Sequence, residues 1–454
     1  MHEAQLTDEF ERLYGYEPEG VWAAPGRVNL IGEYTDFNDG FVMPLALPHT
    51  ARVAVARRTD GLLRLHSGDN EAAAIDDNKS AASDDINESA ESGSGAGGDG
   101  SGGVTELRVD SLTPLDPAGG WWSYLAGVVW ALREKGYGAE MAGGADVHLR
   151  STVPTGAGLS SSAALEVALA LALTDLHRIP LTRPELAQLC QYAENAFVGV
   201  PCGIMDQTAS ACCEAGHALH LDTRDLTRRQ IPFDLPAHGL ALLVVDTRVK
   251  HALGDGAYAE RRSGCEEGAR LLGVGHLRDI SHAQLDDALA KLPDERVRRY
   301  VRHVVSDNHR VAQVAAHLDA GDPRAIGPLL LEGHASLRDD LRISCPELDL
   351  VVETAAHAPG VHGARMTGGG FGGSAIVLAE AAAVADFSRR VETAFEAAGH
   401  RSPRLFPATP SAGARQLAGG KRRLGSGTAH SLSPSVTTGH GDHTPAPDPE
   451  QFCK

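Results

Sequence analysis

The sequence predicts an α+β fold of two domains. Its 454 residues are enough for two domains of ordinary size, each with its own hydrophobic core. Strand-like alternation, as in ARVAVARR at residues 51–58, occurs in the same chain as helix-like periodicity, as in WWSYLAGVVWALREKG at residues 121–136. The share of hydrophobic residues, 42%, is typical of globular proteins. We place the first domain at residues 1–225 and the second at residues 226–417.

The first domain is expected to contain a helix, a loop and several strands. Residues 1–20 predict an amphipathic helix. Residues 21–38 contain a Pro-Gly pair and several polar side chains, which favours a functional loop over a regular strand. The alternating segments at 51–58 and 62–67 are expected to pair as a hairpin. ADVHLRSTVP at residues 145–154 predicts a strand that leads into a serine-rich turn.

The second domain is expected to open with a central strand. HGLALLVVDT at residues 238–247 has the unbroken apolar character of such a strand. Segments rich in Leu, Ala and Arg predict helices across residues 255–338. GARMTGGGFGGSAIV at residues 363–377 predicts a glycine-rich loop joined to a buried strand.

Two segments differ from the rest of the chain in composition. Residues 68–103 are rich in Asp, Ser, Ala, Asn and Gly, and residues 418–454 are rich in Gly, Ser, Thr, Pro and His. Such segments bury too little apolar surface to offset the entropy cost of ordering them. We therefore predict a disordered insertion in a hairpin loop and a disordered C-terminal tail.

The charge and the apolar pattern exclude two classes of partner. A net charge of −19 argues against nucleic acid, because the phosphates would be repelled. No apolar run is long enough to span a bilayer, and the acidic N-terminus lacks the apolar core of a signal peptide. Seven cysteines without a zinc-type spacing fit a reducing compartment. We therefore expect a cytoplasmic protein that binds neither nucleic acid nor membranes.

The stretch PTGAGLSSSAA at residues 154–164 has the features of a phosphate-binding turn. Its small residues let the backbone approach a ligand, and its serines open an apolar helix whose first N–H groups would face an anion. A Walker loop is excluded, because the GK pair of the chain is followed by Arg422. A dinucleotide fingerprint is disfavoured, because no acidic residue ends a strand at the expected distance. For this segment alone, a serine-capped turn before a buried helix remains the alternative.

Three segments together resemble the signatures of the GHMP small-molecule kinases. They are GRVNLIGEYTDFNDGFVMPLAL at residues 26–47, PTGAGLSSSAALE at residues 154–166 and GARMTGGGFGGSAIV at residues 363–377. The first is similar to the segment specific to galactokinases, as are PCGIMDQ at residues 201–207 and CPELD at residues 345–349. The resemblance extends almost to the predicted tail and implies the two-domain GHMP kinase fold. That fold has an N-terminal half like ribosomal protein S5 domain 2, a C-terminal half of the ferredoxin-like type, and an active site in the cleft between them.

The resemblance implies a role for each of several residues. Asp206 falls on the catalytic base, and Arg27 falls on the arginine that stabilises this aspartate and the moving phosphoryl group. Residues that fall on sugar-binding positions are Glu33, Tyr34, Asp36, Gly203 and Tyr258. Residues that fall on nucleotide-binding positions are Ser67, Gly156, Ala157, Gly158, Leu159, Ser160, Ser161 and Ser162. Ser162 and Glu194 fall on the ligands of Mg²⁺.

Two residues depart from the family pattern EHTDY. Tyr34 stands where the family has a histidine near the sugar 6-hydroxyl, and Phe37 stands where it has a tyrosine. A phenol OH would then have to supply the contact of the histidine. These departures bear on sugar specificity more than on the class of reaction.

The resemblance implies a galactokinase activity. In that reaction the γ-phosphoryl group of ATP, with Mg²⁺, moves to the C1 hydroxyl of α-D-galactose and gives α-D-galactose 1-phosphate, the first committed step of galactose use. We expect the chain to act as a monomer. A kinase for a related sugar, such as N-acetylgalactosamine, is one alternative. A non-catalytic regulatory protein that binds galactose and ATP is another, although such relatives have lost residues after the serines, where this chain has Ser162 and Ala163.

Overall fold

The computed structural model of the protein describes residues 3–68, 103–114, 120–249 and 254–419. Its helices are α1 (Glu3–Tyr14), α2 (Trp121–Leu132), α3 (Gly138–Met141), α4 (Ser161–His177), α5 (Arg183–Ala193), α6 (Met205–Cys212), α7 (Gly254–Leu272), α8 (Leu285–Lys291), α9 (Glu295–Asp319), α10 (Gly327–Ser336), α11 (Pro346–Ala356) and α12 (Val384–Ala397). Its strands are β1 (Gly20–Asn29), β2 (Phe41–Val42), β3 (Pro44–Arg57), β4 (Leu62–Ser67), β5 (Thr105–Arg108), β6 (Gly144–Ser151), β7 (His217–Asp222), β8 (Arg228–Pro232), β9 (Leu240–Asp246), β10 (Val361–Thr367), β11 (Ser374–Glu380), β12 (Arg404–Pro407) and β13 (Arg415–Gly419). The predicted α+β class is confirmed.

A six-stranded sheet has the order β13-β1-β3-β6-β4-β5. Its neighbouring strands are antiparallel except for β4 and β6, which are parallel. The predicted hairpin of β3 and β4 is wrong, because β6 lies between these strands and pairs with both. The alternating pattern identified the two strands, but it carried no information on the later strand that separates them.

β1 is buried along its whole length and contains Arg27. The structure therefore corrects the prediction of a loop here, because the strand continues through the Pro-Gly pair with a shift of register against β3 between Pro25 and Arg27. Gly26 suits this shift, since a Cβ there would lie 2.6 Å from the carbonyl oxygen of Leu159. The predicted loop is confined to the residues after β1 and contains a 3₁₀ turn at Asp36–Asn38.

A four-stranded sheet of order β10-β11-β9-β12 contains β9 in its interior, as the sequence predicted. A smaller sheet has the order β2-β7-β8. β8 lies beyond residue 225 and still pairs with β7, and β13 returns to pair with β1. Segments from beyond the predicted boundary therefore complete sheets of the first half, and the two-domain division stays a prediction.

The predicted tail begins too early. Ala418 and Gly419 lie in β13 and pair with Val21 and Gly20 of β1. β4 and β5 form an antiparallel pair, and the predicted insertion lies between them in the sequence. Residues 69–102 of the insertion and residues 420–454 of the tail lie outside the described residues, so their disorder stays a prediction.

Two large hydrophobic clusters hold the helices against the sheets. In the first, α4 packs on β1 and β3, with α2 and α5 beside it. In the second, residues of α7, α9, α11 and α12 join residues of the four-stranded sheet. Among the described helices, none combines the length and apolar character needed to cross a bilayer.

We predict that Gly363→Ala destabilises the fold, because a Cβ at this position in β10 would lie 2.1 Å from the carbonyl oxygen of Gly327. Backbone would have to move, so the free energy of unfolding should fall by about 1–3 kcal/mol in urea denaturation. Gly256→Ala in α7 is the matched control, because nothing lies within 4 Å of its Cβ. There alanine should add about 0.5–1 kcal/mol. Equal stability of the two variants would contradict the close approach of α10 to β10.

Candidate active site

Three loops meet beside Arg27, namely the serine loop (residues 154–160), the carboxylate loop (residues 30–40) and the glycine loop (residues 368–373). The backbone N–H of Arg27 donates to the carbonyl oxygen of Leu159 at 3.1 Å. Across the serine loop, the hydroxyl of Ser374 at the end of the glycine loop donates to the carbonyl oxygen of Ala157 at 2.8 Å. The three sequence motifs therefore pack together.

The serine loop turns at three residues with positive φ, which are Gly156 (69°), Gly158 (72°) and Ser160 (57°). This conformation is uncommon for a residue with a side chain, and the Ser160 hydroxyl donates to Oδ2 of Asp206 at 2.5 Å. α4 then begins at Ser161, so the N–H groups of its first turn have no acceptor within the helix. The helix N-terminus predicted to bind phosphate is therefore formed.

Arg27 and Asp206, the two residues predicted to be catalytic, form a bidentate ion pair. Nε and Nη2 of Arg27 each lie 2.8 Å from one carboxylate oxygen of Asp206. Nη1 of Arg27 donates to the carbonyl oxygen of Gly158 at 2.6 Å. Only 6% of the Arg27 side chain is exposed, against 26% for Asp206. A fixed guanidinium therefore holds a partly accessible carboxylate beside the serine loop.

Asp36 packs directly on Gly203. A Cβ on Gly203 would lie 1.7 Å from Oδ2 of Asp36, so only glycine permits this approach. The carboxylate of Asp36 accepts hydrogen bonds from the backbone N–H groups of Phe37, at 3.0 Å, and Met205. Burial, and after it the charge of Asp206, raises the pKa of Asp36 to about 6. Two predicted sugar ligands therefore lie together, close enough to Asp206 to sense its charge.

Tyr34, Phe37 and Tyr258 form a cluster of three rings beside Asp36. The ring centroids of Tyr34 and Tyr258 are 5.0 Å apart, and that of Phe37 is 5.8 Å from each. Tyr34 has φ 63°, and its OH donates to the carbonyl oxygen of Gly369 at 2.8 Å. Burial, followed by the charge of Asp36, raises the pKa of Tyr258. The phenol OH of Tyr34, predicted to contact the sugar, is thus bonded to the glycine loop.

Glu33 is almost fully buried and ties the carboxylate loop to the glycine loop. Its Oε1 accepts from the backbone N–H of Gly368 at 2.7 Å, and its Oε2 accepts from the side-chain amide of Asn29. Burial raises the pKa of Glu33, and the charges of Arg365 and Arg27 oppose this rise. Because each carboxylate oxygen has two lone pairs, Glu33 retains acceptor capacity for a ligand hydroxyl.

Ser162 and Glu194, the predicted metal ligands, are hydrogen-bonded to each other. Glu194 is buried and begins the π-helical turn Glu194–Val198 that extends α5. Burial, followed by the charge of Asp206, raises the pKa of Glu194 to about 7. A hydroxyl and a carboxylate are both oxygen ligands that Mg²⁺ accepts. The donor set therefore fits the predicted ion.

A buried polar cluster that was not predicted from the sequence lies next to Glu194. Nε2 of Gln207 donates to Glu194 at 2.6 Å and to Glu166 at 3.3 Å. Among the described residues, Oε1 of Glu166 and Oε1 of Gln207 have no hydrogen-bond partner. The available signal was helical spacing, because Glu166 lies four residues after Ser162 and shares its face of α4.

A cavity of about 330 Å³ opens beside Asp36 and Gly203. This volume lies at the lower end of the roughly 300–1,000 Å³ of small-molecule pockets. Its walls are mostly polar and include Gln188, Gln191, Asn195, Thr223, Arg224 and Arg262. Of the predicted site residues, Asp36 and Gly203 border this space, whereas Asp206, Glu33 and Tyr258 are not among the residues that line it.

The remaining predicted nucleotide residues differ in exposure and place. Ala157 and Leu159 are buried, so their backbone groups are the parts that can face a ligand. Ser67 lies at the end of β4 and pairs with Leu149 of β6, the strand that leads towards the serine loop. The structure places Ser67 along that strand, and its contact with a nucleotide stays a prediction.

Three family models match the chain. The GHMP kinases N terminal domain matches residues 123–214, and the GHMP kinases C terminal domain matches residues 314–397. The galactokinase galactose-binding signature matches residues 8–57. Arg27 and Asp36 lie within the last of these matches.

Relatives match over most of their length. A galactokinase of Streptomyces coelicolor is 62% identical over 413 residues, which span 91% of this chain and 98% of the relative. The galactokinase of Homo sapiens is 41% identical over 392 residues, which span 86% of this chain and 91% of the relative. The crystal structure of Lactococcus lactis galactokinase complexed with galactose has 30% identity and a TM-score of 0.80, and covers 91% of this chain and 99% of its own. Mevalonate kinase of Methanococcus jannaschii has 17% identity and a TM-score of 0.58, and the match covers 88% of this chain and 98% of its own. At this identity the likeness shows a shared fold alone.

We predict that the stability of Asp36→Asn relative to the unmodified ligand-free protein is higher at pH 8 than at pH 4. The pKa of Asp36 rises from 3.8 to about 6 on folding, so the penalty for ionising it starts near the lower value and is complete above the higher one. A shift of this size makes the effect of the substitution about 1–3 kcal/mol more favourable at pH 8 than at pH 4, on top of a pH-independent cost for replacing one acceptor oxygen with a donor. Thermal unfolding of both proteins at the two pH values measures this difference. An equal effect at both values would contradict the raised pKa.

Proposed function

Because this chain belongs to the galactokinases, within the GHMP kinase family, we propose that it transfers the γ-phosphoryl group of ATP to the C1 hydroxyl of α-D-galactose. The product is α-D-galactose 1-phosphate. The observation that carries the proposal is the Asp206 carboxylate, which Arg27 and Ser160 hold at the junction of the serine and carboxylate loops. A positioned proton acceptor between a phosphate loop and a hydroxyl-binding loop is what phosphoryl transfer to a sugar requires.

Two comparisons support galactose as the substrate. The galactose-binding signature of galactokinases matches the segment that contains Arg27, Glu33 and Asp36. The Lactococcus lactis relative, whose chain is covered almost completely, was solved with galactose.

Asp206 would accept the proton of the attacking C1 hydroxyl. Its carboxylate is fixed in angle by the two parallel bonds from Arg27 and is still partly accessible. Arg27 balances the charge of Asp206, and, because its Nη1 binds the serine loop at Gly158, it lies beside the proposed path of the phosphoryl group.

Asp36, Gly203 and Tyr258 would bind the sugar hydroxyls. A carboxylate only accepts hydrogen bonds, so Asp36 can bind two neighbouring hydroxyls and fix the orientation of the ring. We propose that Glu33 and Tyr34 act mainly by joining the carboxylate loop to the glycine loop, where their polar atoms are bonded.

The serine loop and the start of α4 would hold the triphosphate of ATP. Gly156 to Ser162 offer backbone N–H groups and hydroxyls at the positive end of a helix, which is where anions are stabilised. We propose that Ser67 contacts the nucleotide from the end of β4, beside β6, the strand that leads towards the serine loop.

Ser162 and Glu194 would hold Mg²⁺ together with phosphate oxygens and water. Within the described residues, no three His, Cys, Asp or Glu side chains gather as a metal site. We propose that phosphate oxygens of the nucleotide and water complete the coordination. The ion neutralises phosphate charge when it is bound. Gln207 keeps Glu194 in place by donating to its Oε2.

We further propose that the protein acts in the cytoplasm. The cysteines of the described chain are free thiols, which suits a reducing compartment.

A sugar panel tests the proposed function. Purified full-length protein with Mg²⁺ and ATP should release ADP with galactose, and much more slowly with glucose, because an epimer leaves buried polar groups unpaired. N-acetylgalactosamine in the same panel tests the alternative sugar kinase. Absence of ADP release with galactose would reject the proposal, whether or not N-acetylgalactosamine is phosphorylated.

We predict that Asp206→Asn lowers kcat by about 10² to 10⁴ fold, because positioning survives and proton acceptance does not. The galactose Kd, measured by calorimetry, should stay within about tenfold.

Glu19→Gln is the control for this variant, because Glu19 forms a bidentate pair with Arg57 at the surface of the first sheet. Its kcat should match that of the unmodified protein. Near-normal turnover in Asp206→Asn would remove Asp206 as the proton acceptor.

A further inference from the structure

One face of α9 holds the carboxylate loop. Oδ2 of Asp307 accepts from the backbone N–H groups of Gly32, at 3.1 Å, and Glu33, at 3.2 Å. Its Oδ1 accepts from Nε of Arg310 at 2.9 Å, and the side chain is fully buried. The hydrogen bonds of Asp307 therefore go to two loop amides and to one arginine of its own helix.

Neighbouring residues of α9 bind the same loop at other points. Nε2–H of His303, one turn before Asp307, donates to the carbonyl oxygen of Glu33 at 3.0 Å. Asn308 accepts from the backbone N–H of Phe41 at 2.8 Å, just past the other end of the loop. Glu33 is thus held at its N–H and at its C=O. Buried backbone groups outside regular structure need hydrogen-bond partners. The polar side chains on this largely buried helix supply those partners to the carboxylate loop.

The buried charges around Asp307 are balanced. Two carboxylates, those of Asp307 and Glu33, face the guanidinium groups of Arg310 and Arg365. Burial opposes ionisation, but Arg310, His303 and Arg365 hold the pKa of Asp307 below its usual value. An ionised Asp307 presents acceptors only, which suits the two N–H groups that point at it.

We propose that Asp307 is a positioning residue for the sugar, because it fixes the loop amides that precede Asp36 and so sets where Asp36 presents its carboxylate. This inference rests on the proposed function. Asp36 starts the 3₁₀ turn that follows the held segment. The serine loop is held by other groups, namely Arg27 and Ser374. Asp307 therefore acts on the sugar side of the site and leaves the nucleotide side in place.

A purely structural role is the competing explanation. A buried carboxylate with an arginine partner stabilises any part of a fold, and its loss would lower stability without favouring one substrate over the other. The two explanations differ in the ratio of the KM values for galactose and ATP.

The test is Asp307→Asn in the full-length protein. The amide replaces one acceptor oxygen with a donor, which then faces either the loop N–H groups or Arg310. We expect the KM and the Kd for galactose to rise about tenfold or more, while the KM for ATP stays within about twofold.

Asp146→Asn is the matched control. Asp146 is equally buried and accepts from Arg58, Arg64 and Tyr16, in the first sheet and not in the three loops. Its loss should lower the Tm and leave both KM values unchanged. Equal rises of both KM values in Asp307→Asn, or an unchanged KM for galactose, would overturn the proposal.

Asn308→Ala decides the question if Asp307→Asn does not fold. It removes the acceptor of the Phe41 N–H at the other end of the loop, and the KM for galactose should rise about threefold or more with the KM for ATP unchanged. If the KM for galactose does not rise selectively in this variant, the proposal is rejected. Failure of the unmodified protein to phosphorylate galactose would instead reject the proposed function.

Discussion

The bidentate pair of Arg27 and Asp206 is the constraint on which the rest of the site depends. It joins β1 to the start of α6, across a sequence separation of 179 residues. The same guanidinium binds the serine loop at Gly158, and Ser160 binds Asp206. Two parallel hydrogen bonds fix angle as well as distance. A shift of β1 or of the serine loop would therefore move the carboxylate, so phosphate site and proton acceptor are placed by one contact.

The carboxylates gathered in the site lower the stability of the ligand-free fold. Removal from solvent is the largest cause of the raised pKa values of Asp36, Glu33 and Glu194, and the charge of Asp206 adds to the rise for Asp36 and Glu194. A shift of about two pKa units is worth roughly 3 kcal/mol, a large share of the roughly 5–15 kcal/mol net stability of a domain. Apolar burial in the two hydrophobic clusters must offset this penalty. The charges of Arg27 and Arg365 reduce the part of the penalty that comes from Glu33. A ligand that brings hydroxyl donors or a cation to these carboxylates would relieve part of the same penalty.

Short motifs allowed much of the site to be predicted, because phosphate and hydroxyl binding need particular residue types close together in the sequence. The serine loop was predicted in this way, and Asp206 and Asp36 were predicted from the resemblance of their segments to the family motifs. The pairing of β3 with β6 was missed, because alternation marks a strand but not its neighbour. Asp307 and His303 were missed because they belong to an amphipathic helix about 270 residues from the loop they hold. Nothing local in the sequence states which loop such a helix faces.

The two departures from the family pattern lie in contact and can be understood together. Tyr34 and Phe37 pack at 5.8 Å between ring centroids, with Tyr258 completing the cluster. The hydroxyl of Tyr34 points out of the ring cluster and donates to the carbonyl oxygen of Gly369 in the glycine loop. Phe37 is half-buried and borders the cavity, so at this position the chain presents an apolar ring where the family pattern has a hydroxyl. Tyr34 therefore helps to hold the carboxylate loop against the glycine loop, while Asp36, which borders the cavity, keeps the residue type of the family pattern.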